Sequence, residues 1–399
     1  MLSKIFDPGK LFFIQALIVL IYILNKGGHQ LGTYLYIFLP VIVFLPIYAW
    51  FNKITAKYAP KPTLGVVYTK MAVIFSMIYA NVCFFILILV YSEAGGFGGA
   101  LKMLADAGGV SYFQQDFLDK YGIFYISLYA APAIITINAI NFYSSSQSKK
   151  MLACLSAGIL VIIFGISILL GSRILIISAC ACWLMVFLRL GSVKRKHIGI
   201  ILISLIISLY FIVQIQTTKI RTNSISEVFD VLIRYYTTSF DNGIYAIERL
   251  SSENPLFWTI RPLLTLPIFS DLTNIQSLYA GLFGTIPILS RKDDFDYVWN
   301  MGLDPTINTF SYFGYLFLDY GWYGAVVNVI ILILLQILFV KNQSGNIYSL
   351  LLFPIFYIAL LDHLRTINVF SQRTLISCIV IAVYIALVKA FSLRRSNET

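Results

Sequence analysis

Runs of about 20 apolar residues recur along this 399-residue chain, and they constrain its fold more than any other feature. A run of that length crosses the hydrocarbon core of a bilayer as a helix. A bilayer admits only helices or closed barrels, because every backbone polar group in it must be satisfied internally. The runs predict spans near residues 9–25, 31–51, 71–91, 121–143, 151–170, 173–190, 199–216, 322–340, 346–361 and 374–391. The expected fold class is therefore an all-α polytopic membrane protein with about ten transmembrane helices. Composition excludes the soluble alternative: only 12% of residues are charged, where a soluble domain carries roughly a quarter.

Charge then sorts the connections into two sides. Segments 1–10, 52–70, 144–150, 189–198, 341–346 and 389–399 hold 16 Lys and Arg against two acids, Asp7 and Glu398. The remaining polar segments hold 13 basic residues against 16 acidic ones. The positive-inside rule makes the first set cytoplasmic, and both termini belong to it. The first apolar stretch lacks a small-residue cleavage site and reads as a retained helix. A net charge of +11 thus reports topology, and no nucleic-acid partner is expected.

The organisation that follows is spans one to seven in 1–216, a large external loop in 217–321, and spans eight to ten with a cytoplasmic tail in 322–399. Inside the loop, residues 255–290 are apolar but interrupted by Pro and Gly, which predicts helices lying on or dipping into the outer leaflet. Residues from Asn308 to Asp319 predict a re-entrant or half-height helix just before span eight. All five cysteines fall in apolar runs, so neither a disulfide framework nor a metal site is expected. Asp294-Phe295-Asp296 has the form of a metal-holding DxD motif, but a three-residue match in an acidic run is expected by chance.

The two cation types are not distributed alike. Of 17 Lys, 12 lie on the cytoplasmic side; of 12 Arg, eight lie outside, at 173, 221, 234, 249, 261, 291, 365 and 373. Topology explains a cytoplasmic excess but not an external preference for Arg. A guanidinium is always charged and its planar fork matches phosphate or carboxylate in two places at once. Arg173 follows Ser172, a candidate N-cap, so it falls at a helix N-terminus, itself an anion-binding place. Arg365 and Arg373 share the last external loop with His363 and with Asp362, which is placed to neutralise Arg365. Arg221 directly follows span seven. Arg234 and Arg249 lie four residues from Asp230 and Glu253, a spacing equally suited to helical ion pairs. Arginine delivered by separate span ends to one membrane level suits a lipid-linked pyrophosphate. Candidate bases on the same side are Asp241, Asp319 and His363, with Asp319 equally placed to cap a turn.

Several short stretches resemble a known group. Gly171-Ser172-Arg173, Lys219-Ile220-Arg221, Arg234-Tyr235-Tyr236, Phe240-Asp241-Asn242, Asn308-Thr309-Phe310 and Leu318-Asp319-Tyr320-Gly321 occur in this order, with Gly324 beyond. In topology and in these motifs the chain resembles the Wzy-type O-antigen polymerases, which join oligosaccharide repeat units. The resemblance implies a GT-C-like membrane glycosyltransferase in a bacterial inner membrane, working at its periplasmic face. It implies undecaprenyl-pyrophosphate-linked glycan as substrate, membrane lipids as surroundings, and a separate chain-length regulator as partner. No cofactor or metal is expected, since Arg supplies the charge. Arg173, Arg221, Arg234, Arg365 and Arg373 would hold the pyrophosphates, with Asp241 or His363 activating the acceptor hydroxyl. Tyr235, Tyr236 and Trp322 would stack on sugars. Three rivals stay open: an O-antigen ligase, with the same chemistry and another acceptor; a flippase or transporter of lipid-linked glycan; and a receptor or structural scaffold, which would not need Arg at several separate span ends.

Overall fold

The computed structural model describes residues 6–54, 66–105, 109–145, 148–170, 172–191, 225–250, 255–266, 269–284, 298, 300 and 309–396. Among them there are helices and no strands. In chain order the helices are α1 Pro8–Lys26, α2 Leu31–Ile54, α3 Val66–Glu93, α4 Gly96–Ala105, α5 Gly109–Ser127, α6 Ala131–Ser144, α7 Lys149–Leu169 and α8 Arg173–Leu190. They continue as α9 Ile225–Arg249, α10 Phe257–Leu264, α11 Phe269–Thr273, α12 Ile275–Phe283, α13 Ser311–Tyr320, α14 Gly324–Gln343, α15 Ile347–Leu361 and α16 Gln372–Ser396.

Seven stretches of the described residues are long and apolar enough to cross a membrane, as a polytopic membrane protein requires. The spans expected at 173–190 and 346–361 form helices of that extent, but they are short for a crossing. The apolar stretch of α8 runs Ile174–Leu190 and α15 has 15 residues, about 22 Å of rise against a hydrocarbon core of about 30 Å. The expected span 199–216 lies outside the described residues. The span expected at 121–143 is a broken helix: α5 kinks at Tyr121 and gives way to a short 3-10 turn, Leu128–Ala130, before α6 begins with Pro132 in its first turn. A proline there sacrifices no helical hydrogen bond.

α6 is the centre of one helix group, with every residue from Ala131 to Asn141 buried. α3, α7, α8 and α16 surround it. Its polar residues bond across the bundle. Asn138 donates to Ser156 at 2.9 Å and accepts from Ser76 at 2.6 Å, and Asn141 donates to Tyr384 at 3.0 Å. Such bonds join helices where no hydrophobic difference between lipid and core does so. Apolar residues on the outer faces, among them Leu17, Ile42, Val161 and Leu334, remain exposed, as a lipid-facing surface requires.

The second group comprises α1, α2, α14 and α15, and it holds the half-height helix. α13 is a ten-residue helix with Ser311 through Asp319 all buried. It packs on α9 through glycines: a Cβ on Gly314 would fall 2.6 Å from the Gly243 Cα, so the two backbones meet where only hydrogen fits. Gly321, at φ 55°, ends α13 in a conformation side chains avoid, and the 3-10 turn Gly321–Tyr323 redirects the chain into α14. α13 falls where the half-height helix was expected and α14 where the eighth span was, the two together forming one apolar stretch from Ser311 to Gln343. The Gly-rich stretch 92–120 contains α4 and most of α5. Pairing of Lys120 and Tyr121 with Glu93 on α3, at 3.3 and 2.7 Å, ties α5 down.

Candidate functional site

The end of the bundle carrying α9 to α13, the start of α8 and the turn before α16 is termed the loop face. Its geometry begins with a tyrosine pair. Tyr125 and Tyr129, at the end of α5 and in the following 3-10 turn, meet edge to face with centroids 5.5 Å apart. Tyr125 donates to the Ser172 hydroxyl at 3.0 Å, immediately before α8, and the Arg373 guanidinium lies 5.4 Å above the Tyr129 ring. The α8 start, with Arg173 as its first residue, and the α16 start, with Arg373 as its second, therefore converge on one aromatic unit. Ser172 does not cap α8 with its side chain as expected; its hydroxyl is the acceptor for Tyr125 instead.

The turn 362–373 holds a second cation. Arg365 grips Asp362 with two parallel bonds of 2.7 and 3.1 Å, and Asn368 adds a third donor to the same carboxylate at 2.8 Å. Burial alone would pull the guanidinium down, but the Asp362 bond and charge outweigh it and hold Arg365 above its ordinary value. Its guanidinium carbon lies 5.2 Å from the centroid of the Tyr235 ring, on α9. Arg365 and Tyr235, expected respectively at the pyrophosphate and at the sugar, are thus direct neighbours. Tyr236 and Arg234 are exposed on the same helix.

His363 points the other way. Its side chain is fully buried, stacked on Tyr312 with centroids 4.2 Å apart, and its Nε2 lies 3.4 Å from the Asn328 Oδ1. Burial drives its pKa down to about 3, so the ring is neutral at physiological pH. A base role toward a surface substrate requires the ring to leave Tyr312. Asp241 is more accessible, with its side chain 38% exposed, but its Oδ1 accepts from Tyr22 at 2.7 Å and from Lys26 at 2.5 Å. One helical stretch further along α9, Glu248 accepts from the Gln30 backbone at 3.1 Å and from Thr33 at 2.9 Å. Both carboxylates clamp α9 to the α1–α2 turn. Trp322 is 55% exposed and meets Tyr36 and Phe317 edge-on, away from the Arg365–Tyr235 contact in chain neighbourhood and in partners.

Asp319 is the carboxylate whose surroundings differ most from a base. It is buried, and its oxygens accept from the backbone N–H of Trp258 at 2.8 Å and of Thr259 at 2.7 Å, and from the Thr259 hydroxyl at 2.7 Å. It caps α10, not the turn into α14. Asp294, Asp296 and Arg221 lie outside the described residues. Among the described residues no group of His, Cys, Asp and Glu is arranged to hold a metal ion. Sequence reasoning passed over Tyr125, Tyr129 and Gln372 at this face. Aromatic and amide residues at span ends are common, and nothing local marks these. No family model, curated protein or solved structure matches the chain.

Proposed function

We propose that this chain is a membrane glycosyltransferase that transfers a glycan from a lipid diphosphate to a sugar hydroxyl at the loop face, in the manner of an O-antigen polymerase. The observation that carries the reading is the convergence of the α8 and α16 starts, with Arg173 and Arg373, on the Tyr125–Tyr129 pair. In the reaction, the acceptor oxygen attacks the anomeric carbon of the donor glycan. The bond from that carbon to the diphosphate oxygen breaks, and the hydroxyl proton passes to a base. Negative charge grows on the departing diphosphate, where fixed guanidinium donors lower the barrier. Removing one such donor typically costs about 2.7–4 kcal/mol. Arg173, Arg365 and Arg373 take this role, with Arg221 and Arg234 on the same side by charge pattern. Of the two candidate bases, Asp241 reaches solvent without rearrangement.

Topology in this reading follows from charge: the loop face is periplasmic, both termini are cytoplasmic, and the membrane is a bacterial inner membrane. Cations at helix starts favour surface chemistry over a translocation path, which needs charge at mid-span. A ligase performs the same transfer onto another acceptor, so the acceptor decides between the two. The test is purified protein in nanodiscs with a lipid-linked repeat unit. A product ladder is expected from the wild type and a loss of about a hundredfold or more in rate from Arg173→Ala or Arg373→Ala. A ladder unchanged in both variants overturns the site, and substrate merely moved between leaflets overturns the enzyme.

A further inference from the structure

α10 brings one more arginine to the loop face. The helix has only eight residues, too few to hold its own position, so its two ends decide where it lies. At its N-terminus, Asp319 accepts from the Trp258 and Thr259 backbone N–H groups and from the Thr259 hydroxyl, while the Asp319 carbonyl accepts from the Leu256 N–H at 3.3 Å. Tyr320 adds a bond to the Thr259 hydroxyl at 3.0 Å. At its C-terminus, Thr265 donates to the Arg261 carbonyl through its N–H at 2.9 Å and its hydroxyl at 2.8 Å. Gln372 in turn donates to the Thr265 hydroxyl at 2.8 Å and to its carbonyl at 3.1 Å. Gln372 directly precedes Arg373. Arg261 and Arg373 therefore belong to one hydrogen-bonded unit. The Arg261 guanidinium lies 5.1 Å from the Trp258 ring and 5.9 Å from Phe257. A guanidinium this close to aromatic rings is attracted to their faces and keeps its charge.

We propose that Arg261 binds the same phosphate-bearing ligand as Arg373, and that Asp319 is the positioning residue that places it, acting through α10. The inference rests on the reading of the loop face as a lipid-diphosphate site. Without the Asp319 carboxylate the first N–H groups of α10 lose their acceptor and the helix loses its anchor on α13. An amide at that position keeps one acceptor oxygen for three donors, so it restores the anchor in part. A base at position 319 would instead be abolished equally by amide and by alanine.

Phosphate at a membrane surface comes from two sources, a polyprenyl diphosphate or an anionic phospholipid headgroup, and the test separates them. The full chain is placed in nanodiscs of phosphatidylcholine, with or without phosphatidylglycerol, and undecaprenyl pyrophosphate is titrated. Arg261→Ala and Asp319→Ala are each expected to weaken its binding by about tenfold or more, the worth of one charge-assisted hydrogen bond. Asp319→Asn is expected between Asp319→Ala and wild type. Gln372→Ala, which loosens the other end of α10 and leaves the Asp319 cap in place, is expected to weaken binding in the same direction. Wild-type affinity in Arg261→Ala overturns the proposal while leaving the wider reading intact. Wild-type affinity in both Asp319→Ala and Gln372→Ala overturns the positioning role. Equal loss in Asp319→Asn and Asp319→Ala does the same. A wild type that binds no pyrophosphate removes the proposal and its premise together. Binding erased by phosphatidylglycerol assigns Arg261 to headgroups and overturns the diphosphate.

Discussion

The imidazole of His363 lies flat on the ring of Tyr312, with an interplanar angle of 11°, in a fully buried place behind the loop face. Its pKa, lowered to about 3 by burial, makes the stack a source of pH-dependent stability. Unfolded chain binds a proton near pH 6.5 that the folded chain refuses, so stability is full above that value and falls as pH drops from there toward 3. The loss reaches about 1.4 kcal/mol one unit below pH 6.5. Melting temperatures in detergent at pH 7.5 and 5.5 are expected to differ in the wild type, and this part of the difference is expected to vanish in His363→Phe. An identical pH dependence in the variant contradicts the burial.

Gly314 and Gly243 permit α13 and α9 to touch backbone to backbone. Gly314→Ala would set its Cβ 2.6 Å from the Gly243 Cα, and backbone does not yield as a flexible side chain does. Destabilisation of about 1–3 kcal/mol is expected, the usual cost of overpacking, and a lowered melting temperature reads it. Gly281→Ala serves as the control, because an added Cβ there meets nothing within 4 Å.

Lys26 and Asp241 form an ion pair whose side chains are 47% and 38% exposed. Solvent screens such a pair, so Lys26→Ala is expected to change stability by less than about 1 kcal/mol. Asp241→Asn, by contrast, is expected to remove glycan transfer while leaving the melting temperature within a similar margin. Full transfer by Asp241→Asn excludes it as the base.

Arg373 gains from its seat on Tyr129, and Tyr125 links that seat to Ser172. Tyr129→Leu removes the aromatic face, worth about 0.5–2 kcal/mol to a neighbouring guanidinium. The expected result is a lower rate of transfer in Tyr129→Leu and no further decrease in Tyr129→Leu/Arg373→Ala beyond Arg373→Ala alone, because the ring acts through the cation. Additive losses measured in this double-mutant cycle contradict the link.

The apolar runs make most of the helical frame legible from sequence, since about 20 consecutive apolar residues have few other uses. The half-height helix before α14 is legible as well: residues up to Asp319 are apolar and a glycine follows at 321. Helices α4 and α5 are not, because four glycines in 95–99 read locally as a loop and the bonds that fix α5 come from Glu93 on another helix. At the loop face the cations are legible by residue type, but their partners are not. Gln372 and Thr265 stand 107 residues apart, and Asp319 and Thr259 stand 60 apart; no local pattern marks either pair. The direction of His363 is equally hidden, for a histidine next to Asp362 and two residues before Arg365 reads as solvent-facing until Tyr312 is seen beneath it.

The complete enclosure of α13 has a mechanical consequence. Helices that touch lipid tilt or stretch their surroundings when the bilayer grows thicker or thinner. From Ser311 to Asp319 this helix touches only protein, so bilayer thickness does not act on it directly. α10 hangs from its last turn through Asp319, and α9 leans on it through Gly243. The loop face thus takes its height from a fixed internal datum, while the outer helices absorb the changes of the membrane around it.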